Sequence, residues 1–172
     1  AGPILEAAGL GSQNVNIHLV NSQSFNAFVV DGRNMFIHVG AIMQASTPNQ
    51  LIGVIAHEAG HIAGGHLSRL RTLMKRAQSA SLMLQLLSIA AAVGGVAAGA
   101  GGDAAQAGQA LALGSQTALM NTIMAYRRAE EYSADQAAVT YLNRTQQSGR
   151  GLIEVMEFFA ERELAAVGVI NP

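Results

Sequence analysis

Three short, mainly apolar runs lie near the start of the chain, at residues 15–20, 25–30 and 34–39, and apolar and polar positions alternate in the first of them. A period of two is typical of β-strands that bury one face. Between the second and third runs lie Asp31-Gly32-Arg33, and an Asp-Gly pair flanked by such runs predicts a hairpin. We therefore expect a small antiparallel sheet of about three strands.

The apolar period then lengthens to that of a helix. Thr47 is a suitable N-cap residue, Pro48 suits the first helical position, and Gln50 completes a capping box. Apolar side chains follow at helical spacing and form one face, made of Leu51, Ile55 and Ile62. These signals predict a helix from about residue 48 into the 60s.

Charged residues are nearly absent between Arg76 and Arg127, where Asp103 is the only one. Residues 77–102 are long enough to span a bilayer, which takes about 20 residues, whereas residues 104–126 are too polar for a convincing span. Three interpretations stay open: a buried helical hairpin, a surface that contacts a partner or a membrane, and, for the first stretch, a true span.

Four cations directly precede this uncharged segment, namely Arg69, Arg71, Lys75 and Arg76. One interpretation places them near the C-terminus of the preceding helix, where positive charge is favourable. The other makes them a basic flank beside a membrane-facing segment.

Helical periodicity resumes over residues 124–142 and again over about 152–166. The strands come first and the helices follow, rather than alternating along the chain, so we expect an α+β fold that is mostly helical. We expect a single domain over residues 1–172, in which residues 77–126 form an uncharged Ala- and Gly-rich helical hairpin insert.

The composition of the chain excludes several classes of protein. Half of the 172 residues are hydrophobic and the net charge is −1, which excludes intrinsic disorder. Ten Lys and Arg against eleven Asp and Glu leave no basic excess to neutralise phosphates, so we expect no nucleic-acid partner. The chain has no Cys, and any metal ligands must therefore be His, Asp or Glu.

The sharpest chemical signal is His57-Glu58-Ala59-Gly60-His61, which lies within the predicted helix. Positions four apart share one helix face, so His57 and His61 can present two imidazoles to one ion with Glu58 beside them. The alternative is a pair of solvated or core histidines. The second interpretation is weaker, because the apolar face of this helix already supplies core residues.

A catalytic zinc site needs a third protein ligand, and Glu131 is the candidate. Asp135 lies one helical turn further on, so one carboxylate can bind metal while the other accepts a hydrogen bond from a ligand histidine. Both residues are equally consistent with an ordinary polar helix surface. Glu130 is a competitor for Glu131, but it points about 100 degrees away around the helix and does not share the face of Asp135.

Taken together, three motifs resemble the zinc metallopeptidases that include the heat-shock protease HtpX and the CAAX prenyl endopeptidases, a gluzincin family. The chain is most similar to the periplasmic BepA and LoiP branch of that family. The resemblance covers about residues 15–145. The motifs are His57-Glu-Ala-Gly-His61, His66-Leu-Ser-Arg69 and Arg128-Ala-Glu-Glu131-Tyr-Ser-Ala-Asp135.

The resemblance implies one Zn²⁺ per chain, bound by His57, His61 and Glu131. It implies Glu58 as the general base and Asp135 as a hydrogen-bond partner of the ligands. The sheet is expected to pack on the helix that carries the two histidines and on a second helix that carries the third ligand.

A further motif, Asn26-Ala27-Phe28, is similar to the substrate-binding edge strand of the family. His66 also matches the family pattern, without a role that follows from it. Members of this branch continue past the point equivalent to Pro172 into a further segment that we expect to be missing here.

The resemblance implies a metalloendopeptidase of the bacterial periplasm that cleaves unfolded or misassembled envelope proteins in protein quality control. Association with a membrane is a further expectation from the resemblance. Residues 77–126 are the candidate contact with a membrane surface or an outer-membrane assembly partner. A rival interpretation is a chaperone or assembly module with a closed structural zinc site, in which His66 or a downstream histidine supplies the fourth ligand. A second rival is an exopeptidase, which needs a cluster of groups to hold a free terminus.

Overall fold

The computed structural model describes residues 1–11, 14–97, 101–166 and 168. Among these residues lie three strands, β1 (Asn16–Val20), β2 (Ala27–Val30) and β3 (Asn34–His38). The helices are α1 (Gly2–Ala7), α2 (Val39–Gln44), α3 (Pro48–Gly64), α4 (His66–Ala97), α5 (Gly101–Arg144) and α6 (Arg150–Ala166). The mostly helical α+β class predicted from the sequence is confirmed.

The sheet is mixed, so the prediction of an antiparallel sheet is wrong for one of its two strand pairs. β2 and β3 form the predicted antiparallel hairpin, but β1 runs parallel to β3 in the order β1-β3-β2. The reason lies in residues 21–26, which cross over the end of β3 instead of turning β1 directly onto β2. There Gly40 N–H donates to Ser22 O at 2.8 Å, and a Cβ at residue 40 would overlap the backbone of Gln23.

The predicted helix is present as α3, with the expected start. Thr47 Oγ1 accepts from Gln50 N–H at 3.4 Å, and Gln50 Oε1 accepts from Ser46 N–H at 2.7 Å. The helix ends at Gly64, because Gly65 adopts a left-handed conformation with φ 63° that favours glycine.

The next helix, α4, begins directly after Gly65, at His66. Arg69, Arg71, Lys75 and Arg76 therefore lie in the first turns of α4. The interpretation that placed them near the C-terminus of the preceding helix is wrong, since the two glycines at residues 64 and 65 end that helix earlier.

The core forms around α3, which contacts α1, β2 and α6. This arrangement confirms that the sheet packs on the helix carrying the two histidines. The buried side chains come from α1, β3, α2, α3, α5 and α6, and they include Leu5, Met35, Ala56, Ala59, Ala138, Leu142, Leu152 and Val155. α1 and α2 were not predicted, because each has only six residues and too few turns for a periodic pattern.

The chain divides into two compact units. The first, Ala1–Ser68 with Glu130–Pro172, contains the sheet, the core and all the candidate site residues. The second, Arg69–Ala129, consists of the remaining parts of α4 and α5 and includes the predicted insert. Residues 98–100 of the predicted hairpin lie outside the described residues.

Several large apolar side chains of the second unit are exposed, among them Met83, Leu86 and Leu87. Within the described residues, no helix contains a stretch that is both long enough and apolar enough to cross a bilayer.

One glycine allows α3 and α5 to approach closely in the first unit. A Cβ at Gly60 would lie 2.8 Å from Ala134 O and 3.0 Å from Ala134 Cα. Real Cβ atoms do not approach backbone atoms so closely, so any side chain at residue 60 pushes the two helices apart. The helix carrying His57 and His61 can therefore reach the helix carrying Glu131 only because residue 60 has no side chain.

We expect Gly60→Ala to lower the free energy of unfolding by about 1–3 kcal/mol, because it overpacks the contact with Ala134. The matched control is Gly114→Ala, which also lies inside a helix but has no atom within 4 Å of its added Cβ. That control should raise stability by about 0.5–1 kcal/mol through helix propensity. Urea denaturation of both variants is the measurement, and equal effects in the two would contradict the close approach.

Candidate metal centre

Three donor atoms from two helices meet at one point. His57 and His61 lie one turn apart on α3, and their Nε2 atoms are 3.0 Å from each other. Glu131 on α5 places its Oε2 atom 3.3 Å from His57 Nε2 and 3.4 Å from His61 Nε2. The structure thus brings together the three residues that the sequence predicted as ligands.

The size and chemistry of this triangle suit zinc. Two imidazoles and one carboxylate form a donor set that zinc accepts. Tetrahedral zinc with ligands at about 2.0–2.1 Å separates its donor atoms by about 3.3–3.4 Å. The observed separations of 3.0, 3.3 and 3.4 Å are close to that edge length. The three residues therefore fit a zinc ion without rearrangement of the backbone.

Asp135 orients His57 from behind. His57 Nδ1–H donates to Asp135 Oδ1 at 2.9 Å, since a carboxylate can only accept. The proton on Nδ1 leaves an unprotonated Nε2 facing Glu131 and His61, which is the form that binds metal. Asp135 therefore has the position predicted for it, one helical turn after Glu131.

The remaining two polar candidates, His66 and Glu130, lie on the far side of His61. His66 Nδ1 is 2.9 Å from His61 Nδ1, and His66 Nε2 is 2.8 Å from Glu130 Oε2. Neither side chain faces the three donor atoms. Glu130 is thus separated from the candidate metal position, as its place on the helix predicted.

Glu58 is a buried carboxyl group beside the two histidines, with 8% of its surface exposed. Burial raises the pKa of Glu58 to about 7, although the neighbouring His57 and His61 oppose the rise. A carboxyl group with such a pKa exchanges protons near neutral pH, which is the property a general base or acid requires.

The pKa values of Glu131 and His57 are also shifted, because their side chains lie close to one another. Contacts with His57 and His61 hold the pKa of Glu131 well below its usual range. Burial lowers the pKa of His57, but its carboxylate neighbours, Glu131 first, outweigh burial and raise the pKa above the usual value. Negative charge therefore concentrates where a cation would bind.

An open groove of about 420 Å³ is lined by two of the three donor residues, His57 and Glu131. Asn26 and Ala27, from the predicted edge strand, line it together with Glu58. Phe28 points elsewhere and stacks on Phe36, with ring centroids 5.2 Å apart. The sequence analysis did not predict the apolar wall of the groove, although four of its residues recur at helical spacing in α6. The wall consists of Phe25, Val54, Leu152, Val155, Met156 and Phe159.

β2 also presents backbone groups at the edge of the sheet. His38 N–H donates to Asn26 O at 3.0 Å, which makes residues 26 and 38 a hydrogen-bonded pair. Because such pairs alternate along antiparallel strands, the N–H and C=O groups of Ala27 and Val29 point away from β3. Within the residues that the structure describes, these groups lie on the outer side of an edge strand.

Comparison with known proteins agrees with this geometry. The sequence model of peptidase family M48 matches residues 3–167. A curated relative, the β-barrel assembly-enhancing protease of Yersinia pestis, is 25% identical over 137 residues. The match covers 76% of this chain and 25% of the relative, so the chain spans about a quarter of the relative's length.

We expect Glu58→Gln to stabilise the metal-free protein at pH 8 but not at pH 4. The pKa of Glu58 rises from 4.5 to about 7 on folding, so its stabilising contribution is complete below pH 4.5 and is lost as the pH rises to about 7. The Glu58→Gln variant avoids this loss in the free energy of unfolding, which amounts to about 3 kcal/mol. Urea denaturation measures it, with the exposed Glu157→Gln as the charge-matched control.

Glu131→Gln should weaken zinc binding by more than about 100-fold, which exceeds the usual effect of changing an outer partner. The comparison is Glu130→Gln, whose carboxyl group lies behind His61 rather than among the donor atoms, so the loss of affinity should be smaller there. Competition with a chromophoric chelator gives both affinities. Equal losses in the two variants would mean that Glu131 is not the third ligand.

Proposed function

Since the chain belongs to peptidase family M48 and is therefore a metallopeptidase, we propose that it is a zinc-dependent endopeptidase that cleaves extended segments of unfolded or misassembled proteins. Membership confirms the family predicted from the motifs. The observation that carries the proposal is the meeting of three ligand atoms with a buried carboxyl group at the wall of an open groove.

The ligand set leaves room for catalysis. His57, His61 and Glu131 supply three protein donors, whereas a structural zinc site has four. Zinc held there would supply a Lewis acid that lowers the pKa of water to about 7 and polarises a carbonyl group. Three protein ligands on one side are the arrangement of catalytic sites, which keep a fourth position open.

Glu58 moves the protons in the proposed reaction. Its carboxyl group lies beside the two ligand histidines and lines the groove, where it can take the proton of the attacking water. Glu58 then gives that proton to the leaving nitrogen as the C–N bond breaks. The neighbouring His57 and His61 keep their protons on the rear nitrogens and so do not compete for this role.

The groove and β2 support an extended substrate. A peptide that adds to the free edge of β2 can bond to the backbone groups of Ala27 and Val29. It then passes the ligand atoms along the same groove that Asn26 and Ala27 line. Binding of this kind uses the main chain, so the substrate must be unfolded or flexible.

Two rival functions are less well supported. A closed structural site would use His66 as its fourth ligand, but His66 contacts the rear nitrogen of His61, on the side away from the donor atoms. An exopeptidase needs groups that hold a free terminus, and the groove wall found here is largely apolar. The sequence and the groove therefore favour cleavage within a chain.

The cellular role is a further part of the proposal. The name of the relative refers to β-barrel assembly, which supports a role in quality control of envelope proteins and a periplasmic location. The exposed apolar side chains of residues 77–126 suit a contact with a membrane surface or an assembly partner. Fractionation of cells that express the full-length protein tests the location.

Glu58→Gln should abolish cleavage while zinc binding persists, because the amide cannot take a proton but removes no ligand. The substrate is an internally quenched peptide blocked at both termini, so that only an endopeptidase gives a signal. Zinc content by mass spectrometry and the rate of fluorescence increase are measured on the same samples.

Retained cleavage by Glu58→Gln would overturn the assignment of the base. Cleavage of unblocked peptides alone would favour the exopeptidase. If wild-type protein binds one zinc but cleaves neither kind of peptide nor casein, the silent module becomes the better interpretation.

A further inference from the structure

A buried pair of side chains stands directly behind one of the three ligands. His66 is 5% exposed and Glu130 is 14% exposed at the side chain, although both are polar. His66 places one ring nitrogen 2.9 Å from His61 Nδ1 and the other 2.8 Å from Glu130 Oε2. The two residues therefore connect a metal ligand to a carboxylate through one imidazole ring.

The proton positions along this connection depend on one another. His61 binds metal through Nε2 only if its proton is on Nδ1, because a neutral imidazole has one proton. His66 Nδ1 must then accept that hydrogen bond, which leaves the proton of His66 on Nε2. His66 Nε2 lies 2.8 Å from Glu130 Oε2, and the opposite tautomer would place an unprotonated nitrogen at that distance from a carboxylate.

The two ligand histidines are thus held in matching ways. Asp135 directly accepts the rear proton of His57. For His61 the same task takes two steps, through His66 to Glu130. The Asp135 side chain is 34% exposed and water can replace it, whereas His66 is almost completely buried. Loss of the His66 contact therefore leaves the rear N–H of His61 with less access to water.

The backbone at the end of α3 makes room for this contact. Gly65 reverses the chain in a left-handed conformation, so that His66, the first residue of α4, folds back towards His61. A Cβ at Gly64 would overlap the imidazole ring of His66. The two successive glycines bring His66 behind His61.

We propose that His66 and Glu130 are positioning residues, which hold the proton of His61 on Nδ1 and so direct His61 Nε2 towards the metal. This inference rests on the proposed role of His57, His61 and Glu131 as zinc ligands. It gives a role to His66 and explains why a second carboxylate adjoins Glu131.

The first test is zinc affinity, measured by chelator competition on the whole chain. His66→Leu fills the same space without accepting a hydrogen bond and should weaken zinc binding by about 10–100-fold, the usual cost of losing an outer partner. His66→Gln can accept from His61 and donate to Glu130, so it should recover most of that loss. Equal affinities for wild type and His66→Leu would overturn the proposal.

A second variant reaches the same contact without altering a polar group. Gly64→Ala should displace the ring of His66 and weaken zinc binding, whereas Gly149→Ala, with open space around its Cβ, should not. In a His66→Ala background the Gly64→Ala change should cost nothing further, because no ring remains to displace. Additive losses in this cycle would show that Gly64 acts independently of His66.

The third readout is the tautomer of each histidine, from ¹⁵N NMR of the zinc-loaded and the metal-free wild type. We expect the His66 proton on Nε2 in both forms, and a proton on His61 Nδ1. A proton on His66 Nδ1 would contradict the relay. Failure of wild type to bind zinc would instead overturn the proposed function, while the tautomer of His66 still tests the inference.

Thermal unfolding of each metal-free variant separates positioning from folding. A positioning role predicts that His66→Leu loses zinc affinity at an unfolding temperature near that of wild type. A drop in unfolding temperature that His66→Gln does not restore, together with unchanged affinity per folded molecule, would mean that His66 only packs.

Discussion

The metal centre depends on forcing two imidazole nitrogens and a carboxylate oxygen to within 3.4 Å of one another. Three lone pairs at this distance repel each other unless a cation or a proton lies between them. The surrounding structure must therefore impose the arrangement. Gly60 lets α3 and α5 approach, and Asp135 and His66 hold the rings from behind.

The same crowding accounts for the electrostatics of the site. The pKa of Glu131 falls because it contacts two histidines, while the pKa of Glu58 rises because burial disfavours its charge. Two carboxyl groups beside the same imidazoles thus have pKa values shifted in opposite directions. One stays ionised and suits a ligand, and the other exchanges protons near pH 7 and suits a base.

The sequence predicts those features whose signals lie within a few residues of each other, and it does not predict those that depend on contacts between distant parts of the chain. Local signals predicted α3 correctly, since Thr47, Pro48 and Gln50 mark its start within four residues. Helical spacing likewise put Glu131 and Asp135 on one face. The parallel placement of β1 could not be predicted, because it depends on residues 21–26 crossing the end of β3. The roles of His66 and Glu130 could not be predicted either. His66 reaches His61 because the chain reverses at Gly65, and its contact with Glu130 joins residues 64 positions apart in the sequence.

The central claim is that three protein ligands hold one zinc and leave a fourth position for water. A crystal structure of the zinc-loaded chain, with anomalous data at the zinc edge, tests it most directly. We predict one zinc bound to His57 Nε2, His61 Nε2 and Glu131 Oε2 at about 2.0–2.2 Å, with a solvent oxygen as the fourth ligand. A fourth protein ligand, or zinc bound elsewhere in the chain, would contradict the account.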